Sequence, residues 1–160
     1  MLGQRRARTG TPHRGDPGRG VGPRALIVDA GPLIAATDTR QELHAPCLEL
    51  LANRPGPLVV PHLVVTEVVY LLGFRAGPEP EVRFLGDLAA GRFTIEPVSP
   101  GDWERIAELV WRYRDLPLGT VDASVVVAAE RLGVAELATL DRRHFSIVRP
   151  RHVEALTLLP

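Results

Sequence analysis

The sequence predicts a single α/β domain built on a mostly parallel sheet of about five strands, and three observations carry that expectation. From residue 24 onward, short apolar runs alternate with segments of helical spacing, an order that favours parallel strands joined by helices. Most of the helical segments close at Gly, or at a Pro that follows, where the chain cannot continue in the same conformation. With 160 residues and 45% hydrophobic content, the chain is large enough for one core but not for two ordinary domains.

The elements follow in order. Residues 25–29 (ALIVD) read as a short buried strand, followed by a Gly-Pro turn and a helix beginning near LIAAT. Residues 41–54 have helical spacing, with Pro46 placed to shift the start or kink the helix. Residues 57–60 form a second strand, and 62–77 a helix ended by Gly77 before Pro78. A further helix spans 79–91, and a third strand spans 92–98. Residues 102–115 alternate apolar and charged positions at helical period and stop at Leu116-Pro117. The segment 120–133 is a helix with Thr120 as the expected N-cap and Gly133 at its end. Residues 136–140 and 154–159 supply the last two strands. In such a sheet the site is expected beyond the carboxyl ends of the strands, where Asp29 and Asp141 fall.

Residues 1–23 are rich in Gly, Pro and Arg with no hydrophobic period, and read as a disordered tail preceding a domain at 24–160. The tail is either a solvated extension or an RNA-binding arm. A translation start at Val21 would remove most of it. Residues 1–24 carry six Arg against Asp16, a balance of +5, while residues 25–160 carry thirteen Arg against eighteen acids, a balance of −5. An acidic body is not a general nucleic-acid-coating surface, so any nucleic acid would be held locally, by arginines and by metal. The single Cys47 forms neither an internal disulfide nor a zinc motif, in keeping with a reducing cytoplasm. No apolar run reaches the ~18 residues of a membrane span, and no signal core is present.

Four acids stand where a fold has little use for them. Asp29 ends an apolar strand, Glu67 interrupts LVVTEVVYLL, Asp122 lies in GTVDAS, and Asp141 follows ELATL. Each has a plain structural alternative. Asp29 could cap the next helix, Asp122 could favour its helix dipole, and Asp141 could pair with Arg142 or Arg143. Glu67 is harder to explain, because its neighbours three and four residues away are Leu63, Val64, Tyr70 and Leu71, none of them a cation. Asp115, beside Leu-Pro, is a turn residue or a secondary candidate.

Together the four acids say more. Two carboxylates ~4 Å apart repel by about 4 kcal/mol at an effective dielectric near ~20, so a cluster needs shared protons or a bound cation. Oxygen-only ligands suit Mg²⁺ or Mn²⁺; the five scattered His and one Cys make no zinc spacing. The chain contains no lysine, which removes the P-loop along with the receiver and haloacid-dehalogenase types of acid cluster, both of which add one. A GxSxG nucleophile is also missing. Carboxylate-bound metal acting on a phosphodiester remains.

Three stretches, LIVDAGPLIA, VVTEVVYLL and LGTVDASVVVAAERLGVAELATLDRRHF, resemble the PIN-domain family, most specifically VapC-type ribonuclease toxins. The resemblance runs from about Ala25 to the C-terminus, and the third stretch is the most specific. It implies a three-layer fold with a five-stranded sheet and an endoribonuclease dependent on Mg²⁺ or Mn²⁺. The family's acid quartet maps onto Asp29, Glu67, Asp122 and Asp141, all present, and its metal-site hydroxyl onto Thr139. Asp29, Asp122 and Asp141 would hold metal, with Glu67 on a second ion or on the attacking water. A VapB-like antitoxin and a homodimer are the implied partners. The Arg-rich tail departs from the family pattern. Arg142 and Arg143 are candidates for RNA contact, with Arg112 and Arg114 as weaker ones, while His144 reads as a plain surface residue. Trp103, Trp111 and Tyr113 read as core or dimer contacts. The competing readings are a PIN-like structure-specific DNA nuclease and a non-cleaving module that binds RNA or a partner protein.

Overall fold

The computed structural model describes residues 21, 22 and 24–160; the expectation of a disordered tail over 1–23 falls almost wholly outside them. Five strands form one sheet: β1 (Leu26–Val28), β2 (Leu58–Pro61), β3 (Thr94–Glu96), β4 (Glu136–Ala138) and β5 (Thr157–Leu159). Their spatial order is β3-β2-β1-β4-β5, and every pairing is parallel, so the expected mostly parallel sheet is entirely so. Ile27 of β1 lies opposite Val59 on one side and Leu137 on the other.

The helices are α1 (Ala30–Ala35), α2 (His44–Asn53), α3 (His62–Ala76), α4 (Pro78–Ala89), α5 (Pro100–Arg112), α6 (Thr120–Leu132) and α7 (Arg142–Phe145). Buried residues of β1 and β2 meet Val64, Val68 and Leu72 of α3 and the run from Ala123 to Ala129 of α6. Helix α6 is apolar on nearly every side because neighbours surround it; its alanines permit close approach of the backbones. Its C-terminus turns through Gly133 at φ 66°, a left-handed conformation that glycine adopts without a Cβ penalty.

Several boundaries differ from the sequence expectation, each for a local reason. No Gly-Pro turn follows β1: α1 starts at Ala30 and carries Gly31-Pro32 in its first turn, where proline's missing N–H costs nothing. Pro46 likewise sits in the first turn of α2 and leaves it unkinked in its interior. Helix α5 begins at Pro100, since the Asp102 carboxylate accepts the Ser99 N–H at 2.8 Å and fixes the start two residues early. In α6 the N-cap is Gly119 rather than Thr120: the Asp122 carboxylate accepts the Gly119 N–H at 3.2 Å, and glycine has no side chain to return the bond. The short α7 was not expected from the sequence, since four residues are too few to show a period.

The strand order fixes where a site can form. Connections from β1 run towards β2 and β3, whereas β4 and β5 lie on its other side, so the chain changes direction across the sheet between β1 and β4. A crevice opens beyond the carboxyl ends of two such strands. Asp29 follows β1 directly, and Thr139 follows β4. The two backbones are tied there by the Asp29 N–H, which donates to the Ala138 carbonyl at 2.9 Å.

Candidate active site

A cavity of about 450 Å³ lies at that crevice, and Asp29, Glu67, Asp122 and Asp141 all line it. Asp29 comes from the end of β1, Glu67 from the second turn of α3, Asp122 from the first turn of α6, and Asp141 from the N-cap of α7. Gly31 also lines it, and a Cβ there would stand 3.1 Å from the Leu140 side chain. The bare glycine thus lets the segment carrying Asp141 close against α1.

Asp29 is 7% exposed. Its side chain makes no capping bond to α1, which removes the capping explanation. The Thr139 hydroxyl donates to its Oδ2 at 2.8 Å and accepts the Asp141 N–H at 3.0 Å, so one buried hydroxyl joins two of the four acids. Burial pushes the Asp29 carboxyl above the ordinary carboxylate value; Thr139 and the Ala30 amide oppose the shift, and the charges of Asp122 and Asp141 add to it. Glu67 is raised as well, first by burial and then by Asp29 and Asp122. Asp122 is raised by burial and by Asp141, against the Gly119 amide and His144. Mutual repulsion among the acids is therefore a feature of the folded chain, as their convergence requires.

His144 is the residue the sequence reading misjudged. It is mostly buried, with Nδ1 2.8 Å from Asp141 Oδ2 and 3.4 Å from Asp122 Oδ2. Nδ1 thus lies against both carboxylates without being aligned for a hydrogen bond to either. Its own backbone N–H donates to Asp141 Oδ1 at 3.0 Å. The available signal was its spacing three residues beyond Asp141, one helical turn. Arg75, which is not among the sequence candidates, also lines the cavity; it stands eight residues after Glu67, on the same face of α3.

Other candidates fall elsewhere. Asp115 is exposed and does not line the cavity. Arg142 donates to the Pro160 carbonyl, and Arg143 is exposed beside Asp141. Trp111 is 71% exposed with the Arg114 guanidinium 4.8 Å above its ring, and Trp103 is 49% exposed, so neither is core. The Tyr113 hydroxyl accepts the Arg149 N–H at 3.0 Å. A larger cavity, about 790 Å³, lies between α2, α4 and the β2–β3 side of the sheet, with Leu48, Phe84 and Phe93 in its walls. Its one carboxylate, Asp87, is already paired with Arg92, so it does not compete as a catalytic site.

Among the described residues no three His, Cys, Asp or Glu side chains are drawn together tightly enough to form a complete ligand set for a metal ion. The donors are nonetheless oxygen atoms around a space large enough for a hydrated ion. Magnesium commonly takes only one or two carboxylates and keeps several waters, so this arrangement fits Mg²⁺ or Mn²⁺ and does not fit zinc. No helix among the described residues is long and apolar enough to cross a membrane.

Comparison with known proteins agrees with this geometry. Residues 26–149 match the family model described as the PIN domain. Ribonuclease VapC26 of Mycobacterium tuberculosis (strain ATCC 25618 / H37Rv) is 35% identical over 135 residues, which cover 84% of this chain and all of that protein. The crystal structure of Mycobacterium tuberculosis VapC20, a Sarcin-Ricin loop cleaving toxin, superposes with a TM-score of 0.70 at 19% identity, covering 81% of this chain and 98% of that one. VapBC2 from Rickettsia felis, bound to a DNA fragment from its promoter, gives 0.62 at 17% identity over 85% and 99%. The last two show likeness of fold.

Proposed function

The chain belongs to the PIN-domain family, with VapC proteins as its relatives, and from that membership we propose that it is an Mg²⁺- or Mn²⁺-dependent endoribonuclease, the toxin of a toxin–antitoxin pair. The observation that carries this reading is the convergence of Asp29, Glu67, Asp122 and Asp141 on one cavity at the direction change of the sheet. Four carboxylates in one cavity, three of them shifted upward in pKa, form a site that favours a divalent cation.

Asp29, Asp122 and Asp141 would hold the ion, directly or through water. When bound, it would supply a hydroxide-like water for in-line attack on phosphorus and neutralise charge on the phosphoryl oxygens. The protein's own part is positional. Thr139 fixes the Asp29 carboxylate and the Asp141 backbone together, and His144 brings Asp122 and Asp141 to the same ring nitrogen, Nδ1. The Glu67 side chain has no hydrogen bond or ion pair among the described residues, and its raised pKa suits it to orient the attacking water and accept its proton.

A VapB-like antitoxin is the proposed partner, and a cation it presents would be drawn to the acid cavity. Self-association as a homodimer and a cytoplasmic location complete the reading. The test is incubation of the full chain, freed of antitoxin, with total bacterial RNA and Mn²⁺, the cut ends being mapped by sequencing. Discrete cuts that vanish with EDTA and in Asp29→Asn are expected. Cleavage that persists in both would overturn the metal-nuclease reading. RNA binding without cutting, and without acid-dependent Mn²⁺ uptake, would favour a binding module instead.

A further inference from the structure

We infer that Arg75 is a substrate-binding residue, holding an RNA phosphate that flanks the scissile one. The inference rests on the nuclease reading and extends it to the course of the strand. Glu67, Leu71 and Arg75 recur every four residues and line the same cavity, so one face of α3 forms a wall of the cleft. At 1.5 Å per residue, Arg75 stands about 12 Å along the helix from Glu67. The cleft therefore has a polarity, with carboxylates at the sheet end and a guanidinium towards the other.

The state of that guanidinium carries the inference. Arg75 is exposed and, among the described residues, its guanidinium donates no hydrogen bond and pairs with no carboxylate. Arg40, Arg54, Arg92, Arg105, Arg131 and Arg151 have carboxylate partners, and Arg83, Arg112, Arg114, Arg142, Arg143 and Arg149, which have none, do not line the acid cavity as Arg75 does. Arg75 is not a cap either, since it bonds none of the last carbonyls of α3, as arginines near helix ends often do. It is the one cation among the described residues that line a cavity with four acids, yet it makes no ion pair with any of them.

A polyanion approaching such a cavity meets repulsion, and a free guanidinium at its edge offsets that. The planar fork of arginine matches two phosphate oxygens at once, which a lysine ammonium does not. The ligand class is thus the backbone phosphodiester of a single-stranded RNA, recognised without regard to base.

The test measures binding of a fluorescein-labelled, mixed-sequence, single-stranded RNA of about twelve nucleotides by anisotropy, with Mn²⁺ present. The full-length chain carries Asp29→Asn so that the probe survives, and the salt concentration is varied. Arg75→Ala is expected to weaken binding on the order of fivefold. It should also flatten the plot of log affinity against log salt by about 0.7, the value of one single-strand phosphate contact. Arg75→Lys should restore the salt slope and only part of the affinity, while both variants melt with their parent. The tail's arginines contribute equally to every variant. An alanine variant within twofold of its parent and with the same slope would overturn the inference, even where the wild type cuts RNA. Loss of affinity with the slope unchanged would overturn it too. An Arg75-dependent slope in a chain that proves not to cut would uphold the contact while the nuclease reading falls. Absence of RNA binding by the parent would overturn both.

Discussion

Thr139→Val changes one atom group and tests the joint between two acids. The side chain is 1% exposed and its hydroxyl makes two bonds, to the Asp29 carboxylate at 2.8 Å and from the Asp141 N–H at 3.0 Å. Valine keeps the shape and loses both. A hydrogen bond to a charged group contributes about 1.5–3 kcal/mol. A partly exposed amide left without its partner costs about 1 kcal/mol, and the added methyl recovers about 0.8 kcal/mol. The net loss is about 2–3 kcal/mol, which in a chain of this size lowers Tm by about 4–12 °C. Thr139→Ser keeps both bonds, loses only a methyl, and should fall by less than half as much. Cleavage should follow the same order, because Asp29 and Asp141 lose their common tether in valine alone. Thermal melts and RNA cleavage rates on the three proteins decide it. A valine variant melting within 1 °C of wild type, or a serine variant as damaged as valine, would refute the account.

Two further predictions rest on charge. In the folded chain Asp29, Glu67 and Asp122 are all raised above their ordinary values. Between the ordinary carboxylate range near ~4 and those raised values, the native state binds more protons than the unfolded chain, so stability falls as pH rises. Metal-free wild type should therefore lose Tm relative to Asp29→Asn as pH climbs from about 4 towards neutrality, and a Tm difference that stays constant across that range would count against buried, mutually repelling acids. Glu130→Ala removes the partner of Arg105 from an ion pair 2.7 Å long whose side chains are 10% and 8% exposed. Arg105 retains Glu108 at 2.8 Å, so the expected destabilisation is about 3 kcal/mol, the low end for a broken buried pair. Glu130 lies outside the acid cavity, and cleavage below the melting range should be unchanged; a loss of activity without a loss of Tm would refute that separation.

Much of this protein was legible in its sequence because the relevant signals are local. All five strands were placed: β1, β2 and β4 because a buried parallel strand is a short apolar run between turn residues, and the more exposed edge strands β3 and β5 because their segments fall between helices in the alternating order. The long helices were placed because period and terminating glycines lie within one element. The boundaries moved where a single bond decided them, as when the Asp102 carboxylate started α5 early. The acids could be named because a carboxylate is conspicuous in an apolar run such as that around Glu67.

Their meeting place was decided by tertiary structure. Asp29 and Asp141 lie far apart in the chain and come together because β1 pairs with β4, while Thr139 lies at hydrogen-bond distance from Asp29 only through that pairing. For His144 the sequence offers only its spacing three residues beyond Asp141, and for Arg75 its spacing eight beyond Glu67; a histidine among arginines and an arginine at a helix end are otherwise ordinary there. Only the folded chain turns one towards two carboxylates and leaves the other partnerless beside them. The sequence by itself determined which residues were costly to bury. Strand order, through hydrogen bonds between distant segments, determined which of those residues face one cavity.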